Sequence, residues 1–122
     1  MTPMKTPHTI LLVEDEEDLR EMMREVLVQG GYHVLAASDG QQALDALAGV
    51  DRVCVVILDL LMPRMNGWDF VEALRREPGN AQIPIVVHTS APNQAPAGVT
   101  RVLRKPITMD GLLSVVRDYC SG

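Results

Sequence analysis

The chain has little cysteine and no cysteine pattern. Its two cysteines, Cys54 and Cys120, show no CxxC or other metal-ligand spacing. Cys54 lies inside an apolar run and reads as a small core hydrophobe. Nothing suggests a disulfide framework, so a reducing cytoplasm fits. No apolar run approaches the roughly 18 residues that a membrane span requires, which argues against a membrane protein. There is no basic run, and the net charge is −5, which argues against nucleic acid as a direct partner. The chain also lacks internal repeats, low-complexity tracts and a domain linker. Residues 1–8 carry one lysine and two prolines without the apolar core of a signal peptide, and read as a disordered lead.

What is present is an ordinary globular composition: 122 residues, 47% apolar and 22% charged, enough for one domain with a proper core. Val53 to Leu58 is an unbroken apolar run that leads into Asp59. Such a run between turn signals reads as a strand buried on both faces, as in a parallel sheet. Pro63 and Asn66-Gly67 then force a turn. Asp59 alone is equally a solvated turn residue.

The remaining elements follow the same alternation. Thr9 to Val13 is an apolar strand that runs into the acids Glu14 to Asp18, which on their own could be a helix start. Leu19, Met22, Met23, Val26 and Leu27 repeat at helical spacing, so residues 16–29 form an amphipathic helix, ended by Gly30-Gly31. His33 to Ala37 is a strand and 39–48 a helix. A third helix over 67–77 is stopped by Pro78-Gly79. Ile83 to His88 and Thr100 to Leu103 are further strands. The last helix spans 108–119, with Thr108 as its N-cap. Strands alternating with helices mean βαβ units and a parallel sheet with helices on both faces.

Residues 91–99 break the alternation. They hold Pro92, Pro96 and Gly98 and no apolar stripe, so they read as a loop or a single turn. We expect this loop to be mobile.

A parallel sheet collects the carboxyl ends of its strands at one edge, where open α/β sheets place their ligand sites. Glu14 and Asp15 follow the first strand. Asp59 ends the third, Thr89 and Ser90 follow the fourth, and Lys105 follows the fifth. Three clustered carboxylates repel one another unless a cation intervenes, and a hard divalent ion such as Mg²⁺ suits oxygen donors. A hydroxyl and an ammonium beside them can hold a phosphoryl group, with Asp59 as the nucleophile that accepts it.

On these residues the chain resembles the CheY-like receiver domains of bacterial two-component response regulators. The matching stretches are Ile10 to Glu16, Ile57 to Pro63 with Met65-Asn66-Gly67, Ile83 to Thr89, and Lys105-Pro106. The resemblance spans residues 9–120. It implies a flavodoxin/CheY-like doubly wound sheet of five parallel strands, ordered 2-1-3-4-5, with the fourth helix absent or reduced to a loop. It implies Asp59 as phosphoacceptor for a histidine kinase or phosphotransfer protein, and Mg²⁺ held by Glu14, Asp15, Asp59 and the Leu61 carbonyl. Thr89, rather than Ser90, and Lys105 would contact the phosphoryl oxygens, and the Lys105-Pro106 bond would be cis. The expected output is phosphorylation-dependent binding of a separate downstream protein, by a monomer or a phosphorylation-dependent dimer, unless the chain is an excised piece of a longer one.

Two features depart from the family. The shortened connection removes a helix that many receivers use for signalling, so output would use another face or require the loop to order. Val102 stands where an aromatic usually couples to the threonine. His88 reads as a strand-end residue with a satisfied ring, and Trp68 as helix packing. Competing readings are a scaffold that binds independently of phosphorylation, an aspartyl phosphatase and a dinucleotide- or flavin-binding domain. Leu61, where such phosphatases carry a second Asp, argues against turnover chemistry. The absence of GxGxxG after the first strand argues against a dinucleotide site.

Overall fold

A computed structural model describes residues 8–50, 52–60 and 66–120. Most of the expected lead over 1–8, and Leu61 with it, lie outside these residues. The sheet has five strands: β1 (Thr9–Val13), β2 (His33–Ala37), β3 (Val55–Asp59), β4 (Ile85–Thr89) and β5 (Arg101–Arg104). All pair in parallel, in the order β2-β1-β3-β4-β5. The helices are α1 (Glu17–Gln29), α2 (Gly40–Ala48), α3 (Gly67–Arg76) and α4 (Met109–Tyr119).

Period-two alternation divides each central strand between two cores. Leu11, Val13, Val56, Leu58, Ile85 and Val87 face α2 and α3 through Ala43, Leu47, Phe70, Val71 and Leu74. Ile10, Leu12, Val55, Ile57 and Val86 face α1 and α4 through Met23, Leu27, Leu112, Val115 and Val116. This is why the inner strands β3 and β4 are buried at every position while β5, at the edge, is not. Three helices start on side-chain caps. Asp39 accepts from the Gln42 N–H at 2.9 Å, Asn66 from Asp69 at 3.0 Å, and Thr108, as expected, from Gly111 at 2.9 Å. Gly31, with φ of +96°, turns the chain out of α1 in a conformation that suits glycine.

Between β4 and β5 there is no α-helix, only one 3-10 turn, Pro92–Gln94. The loop expected there is present, but it is anchored. Arg75, in the last turn of α3, donates to the carbonyls of Asn80 (3.3 Å), Ala81 (3.1 Å) and Ile83 (2.8 Å) with Nη1, and to Gly98 (2.8 Å) with Nη2. Ala95 and Val99 pack against the α2/α3 core. The second half of the segment is thus tied to α3, where composition alone suggested mobility throughout.

The cysteine reading needs correction. Cys54 and Cys120 are joined in a disulfide, with their Cα atoms 5.5 Å apart. Cys54 precedes β3 and Cys120 caps α4, and the fold brings these ends together across 66 residues of sequence. Sequence spacing carries no trace of that proximity.

Candidate functional site

The carboxyl edge gathers the acids. Glu14 directly follows β1, and its N–H continues the ladder to the Ala37 carbonyl at 3.0 Å. That bond carries the residue inside the protein, and Glu14 has no exposed surface. Asp59 is the last residue of β3 and is only 5% exposed. Both are buried more deeply than charged strand-end residues ordinarily are. Asp15, the next residue on the β1 side, is exposed. Carboxylate oxygens of Glu14, Asp15 and Asp59 lie within 4.8 Å of one another, the arrangement anticipated from the strand ends.

Lys105 follows β5, and its N–H donates to the Thr89 carbonyl at 2.9 Å. The bond to Pro106 is cis, as expected. Its ammonium lies 3.3 Å from Glu14 Oε1 and 3.4 Å from Asp59 Oδ1, so one cation bridges two buried carboxylates. Thr89 ends β4 with its hydroxyl accepting from the Ala91 N–H at 3.1 Å, and is 97% buried, whereas Ser90 is exposed.

The electrostatics follow from this crowding. Burial, reinforced by neighbouring Asp59, pushes the Glu14 carboxyl up to about 8. Burial also raises Asp59, against the pull of Glu14 and Lys105. Burial disfavours the charged form of Lys105, but Asp59 and Glu14 outweigh it and hold the ammonium above its ordinary pKa. Lys105 alone does not offset the crowding, and without a metal ion both carboxylates stay displaced towards protonation. An all-oxygen donor set with excess negative charge fits a hard divalent ion.

Two contributors escaped the sequence reading. Arg20, one turn into α1, donates to the backbone carbonyls of Glu14 at 2.9 Å and Asp15 at 3.4 Å, so it fixes the acidic loop. Its only signal was a cation two residues past the acids. His88 was expected to have a satisfied ring. It is instead fully buried beside Asp59 in the β3–β4 register, and neither ring nitrogen has a hydrogen-bond partner. A polar residue interrupting the apolar run of β4 was the available hint.

Comparison with known proteins decides the family. The profile of the response regulator receiver domain matches residues 10–117. This chain belongs to the response regulator receiver domain family. Among curated relatives, the transcriptional regulatory protein CpxR of Escherichia coli is 40% identical over 81 residues, which cover 66% of this chain and 33% of CpxR. The response regulator MprA of Mycolicibacterium vanbaalenii is 36% identical over 117 residues, covering 91% of this chain and 49% of MprA. The chain thus spans between a third and a half of these relatives. The chemotaxis response regulator CheY4 of Vibrio cholerae superposes with a TM-score of 0.82 at 31% identity, covering 93% of this chain and 99% of CheY4. The receiver domain of the Pseudomonas aeruginosa sensor histidine kinase PA1611, described with magnesium coordinated in its active-site cleft, gives 0.86 at 24% identity over 96% of this chain and all of that one. At that identity the likeness concerns the fold. Membership of the family places the chain in two-component signalling, as a receiver of phosphoryl signals. Among the described residues no helix is long and apolar enough to cross a membrane.

Proposed function

We propose that residues 9–120 are a receiver in which Asp59 accepts a phosphoryl group from a histidine kinase or phosphotransfer protein. One observation carries the reading: the Lys105 ammonium bridges Glu14 and Asp59 inside a cluster of three carboxylates. Glu14, Asp15 and Asp59, with the Leu61 carbonyl, would hold Mg²⁺. Bound there, the ion neutralises charge on the transferring phosphoryl oxygens.

Asp59 supplies the nucleophile. Its Oδ forms a bond to phosphorus as the phosphorus–nitrogen bond of a phosphohistidine breaks, and the departing imidazole keeps that electron pair and takes up a proton. Lys105, already 3.4 Å from Asp59, moves its charge onto a phosphoryl oxygen, and the Thr89 hydroxyl donates to another. The acyl phosphate adds negative charge and strong acceptors at the sheet edge, which shifts the balance between conformations that a partner protein discriminates. The protein handles its own acyl phosphate and is not a turnover enzyme. Family membership, rather than the cysteines, supports a cytoplasmic location, with output through a separate protein or a phosphorylation-dependent dimer.

Binding independent of phosphorylation is the competing reading. It is favoured by Val102, half-buried where the family's aromatic coupling would need a ring. The test is Trp68 fluorescence and calorimetry with Mg²⁺ and then beryllofluoride, on wild type and Asp59→Asn. Saturable Mg²⁺ binding, with a beryllofluoride response that Asp59→Asn abolishes, is expected. Failure to bind Mg²⁺ by either method would leave the scaffold reading in front.

A further inference from the structure

His88 carries a role that neither the fold nor the acceptor chemistry has used. It is a β4 residue with no exposed surface, and both ring nitrogens lack a hydrogen-bond partner. Burying an imidazole this way disfavours its charged form, as does nearby Lys105, and its pKa falls to about 4. In either protonation state the ring carries at least one N–H. An orphaned buried donor is costly unless some state of the protein employs it. One candidate acceptor is at hand: Nε2 lies 3.9 Å from Glu14 Oε1, just outside hydrogen-bond range.

That same oxygen is now held by Lys105 at 3.3 Å, while the Glu16 N–H reaches Glu14 Oε2 at a long 3.4 Å, and the carboxyl–carboxyl hydrogen bonds that Glu14 shares with Asp59 and Asp15 need a proton that a bound metal ion displaces. In the proposed function Lys105 leaves for a phosphoryl oxygen. Glu14 must then stay oriented although its nearest donor has gone. A metal-binding carboxylate needs such an outer partner to fix its geometry.

We infer that His88 is a positioning residue that takes over Glu14 when Lys105 departs, donating from Nε2 to Oε1 after a shift of about 1 Å into ordinary hydrogen-bond range. The metal-loaded site would thus be held by an imidazole from the inner face of β4. This rests on the acceptor reading.

The test is Mg²⁺ affinity by calorimetry at saturating beryllofluoride, the phosphoryl mimic that draws Lys105 away, together with thermal midpoints, for His88→Leu, His88→Gln and His88→Asn. A Gln amide nitrogen occupies roughly the place of Nε2, and an Asn nitrogen that of Nδ1. Leu and Asn are expected to weaken Mg²⁺ binding by about tenfold, the scale typical of outer-partner loss, with Gln restoring most of it. The Leu variant should melt no lower than wild type, because it replaces an orphaned polar group with an apolar one. A merely space-filling histidine predicts equal affinity in all three variants, and wild-type affinity in His88→Leu overturns the inference while leaving Asp59 as acceptor. Should the Leu variant not fold, rescue by Gln but not Asn upholds the inference, and equal affinity in those two overturns it. No saturable Mg²⁺ binding in wild type overturns the acceptor reading first, and this inference with it.

Discussion

Lys105 and Arg75 are two cations turned inward, and the contrast between them separates the part of the molecule built to change from the part built to hold. Lys105 is balanced by two carboxylates, both displaced towards protonation. Charge balanced by charge can be exchanged: a metal ion or a phosphoryl group offers each partner a replacement. Arg75 is surrounded by four neutral carbonyls from two stretches of backbone, and burial lowers its pKa. Nothing in that set can leave without a lost hydrogen bond, so the guanidinium fork acts as a fixed clamp. Helix α3 joins the two regions. Its first residue, Gly67, lies against Leu60 just past the acceptor, and its last turn carries Arg75.

The comparison can be broken at either cation. Lys105→Ala is expected to slow phosphoryl uptake from a small-molecule donor by about 100-fold, the scale of losing one oriented donor. Its unfolding midpoint in Mg²⁺ should stay near that of wild type. Rapid-quench labelling and urea unfolding read the two effects separately. Arg75→Ala should do the reverse. It should destabilise by about 1–3 kcal/mol, since the partly buried carbonyls of Asn80 and Ile83 lose their donor, and leave Mg²⁺ affinity intact. Hydrogen exchange should rise across residues 95–99 and not in β3. Equal losses of function and stability in both variants would dissolve the distinction.

Gly67→Ala sharpens it at the joint. A Cβ there would sit 2.7 Å from the Leu60 Cα, a backbone atom that cannot swing aside. A loss of about 1–3 kcal/mol is expected in urea unfolding, with a weakened acceptor loop.

The remaining effect concerns pH. Glu14 binds its proton more tightly folded than unfolded, with a pKa near 8 against an ordinary 4.5. Its contribution to stability is complete below the ordinary value and is lost as pH rises through the folded one. The metal-free protein should therefore lose up to about 1.4 kcal/mol per pH unit from this group between those limits. Saturating Mg²⁺, which replaces the proton, should flatten the slope. Urea midpoints across the range, with and without the ion, check both sign and cause.

Much of this was readable in one dimension. The apolar runs Ile10 to Val13, Val55 to Leu58 and Ile85 to Val87 announce inner strands because only a strand covered on both faces can be apolar at every position. The acids, threonine and lysine just beyond them announce the site, because parallel strands bring their carboxyl ends to one edge. His88 was misjudged because hydrogen-bond satisfaction depends on neighbours 74 positions away in the sequence, namely Glu14. Arg75 went unremarked because a basic residue in a last helical turn is ordinarily a solvated partner of the helix dipole.

The sequence by itself determined the parallel sheet, its strand order through family resemblance, the break at residues 91–99 and the residue types of the acidic edge. Apart from the strand order, which only the resemblance supplied, these rest on local pattern, which acts at short range. Only the tertiary structure decided that Lys105 bridges Glu14 and Asp59, that Arg75 clamps the helix-free connection, that Cys54 meets Cys120 and that His88 is left without a partner. Each of these is a contact between distant segments, and its distance is set by how whole layers pack rather than by any residue's own preference.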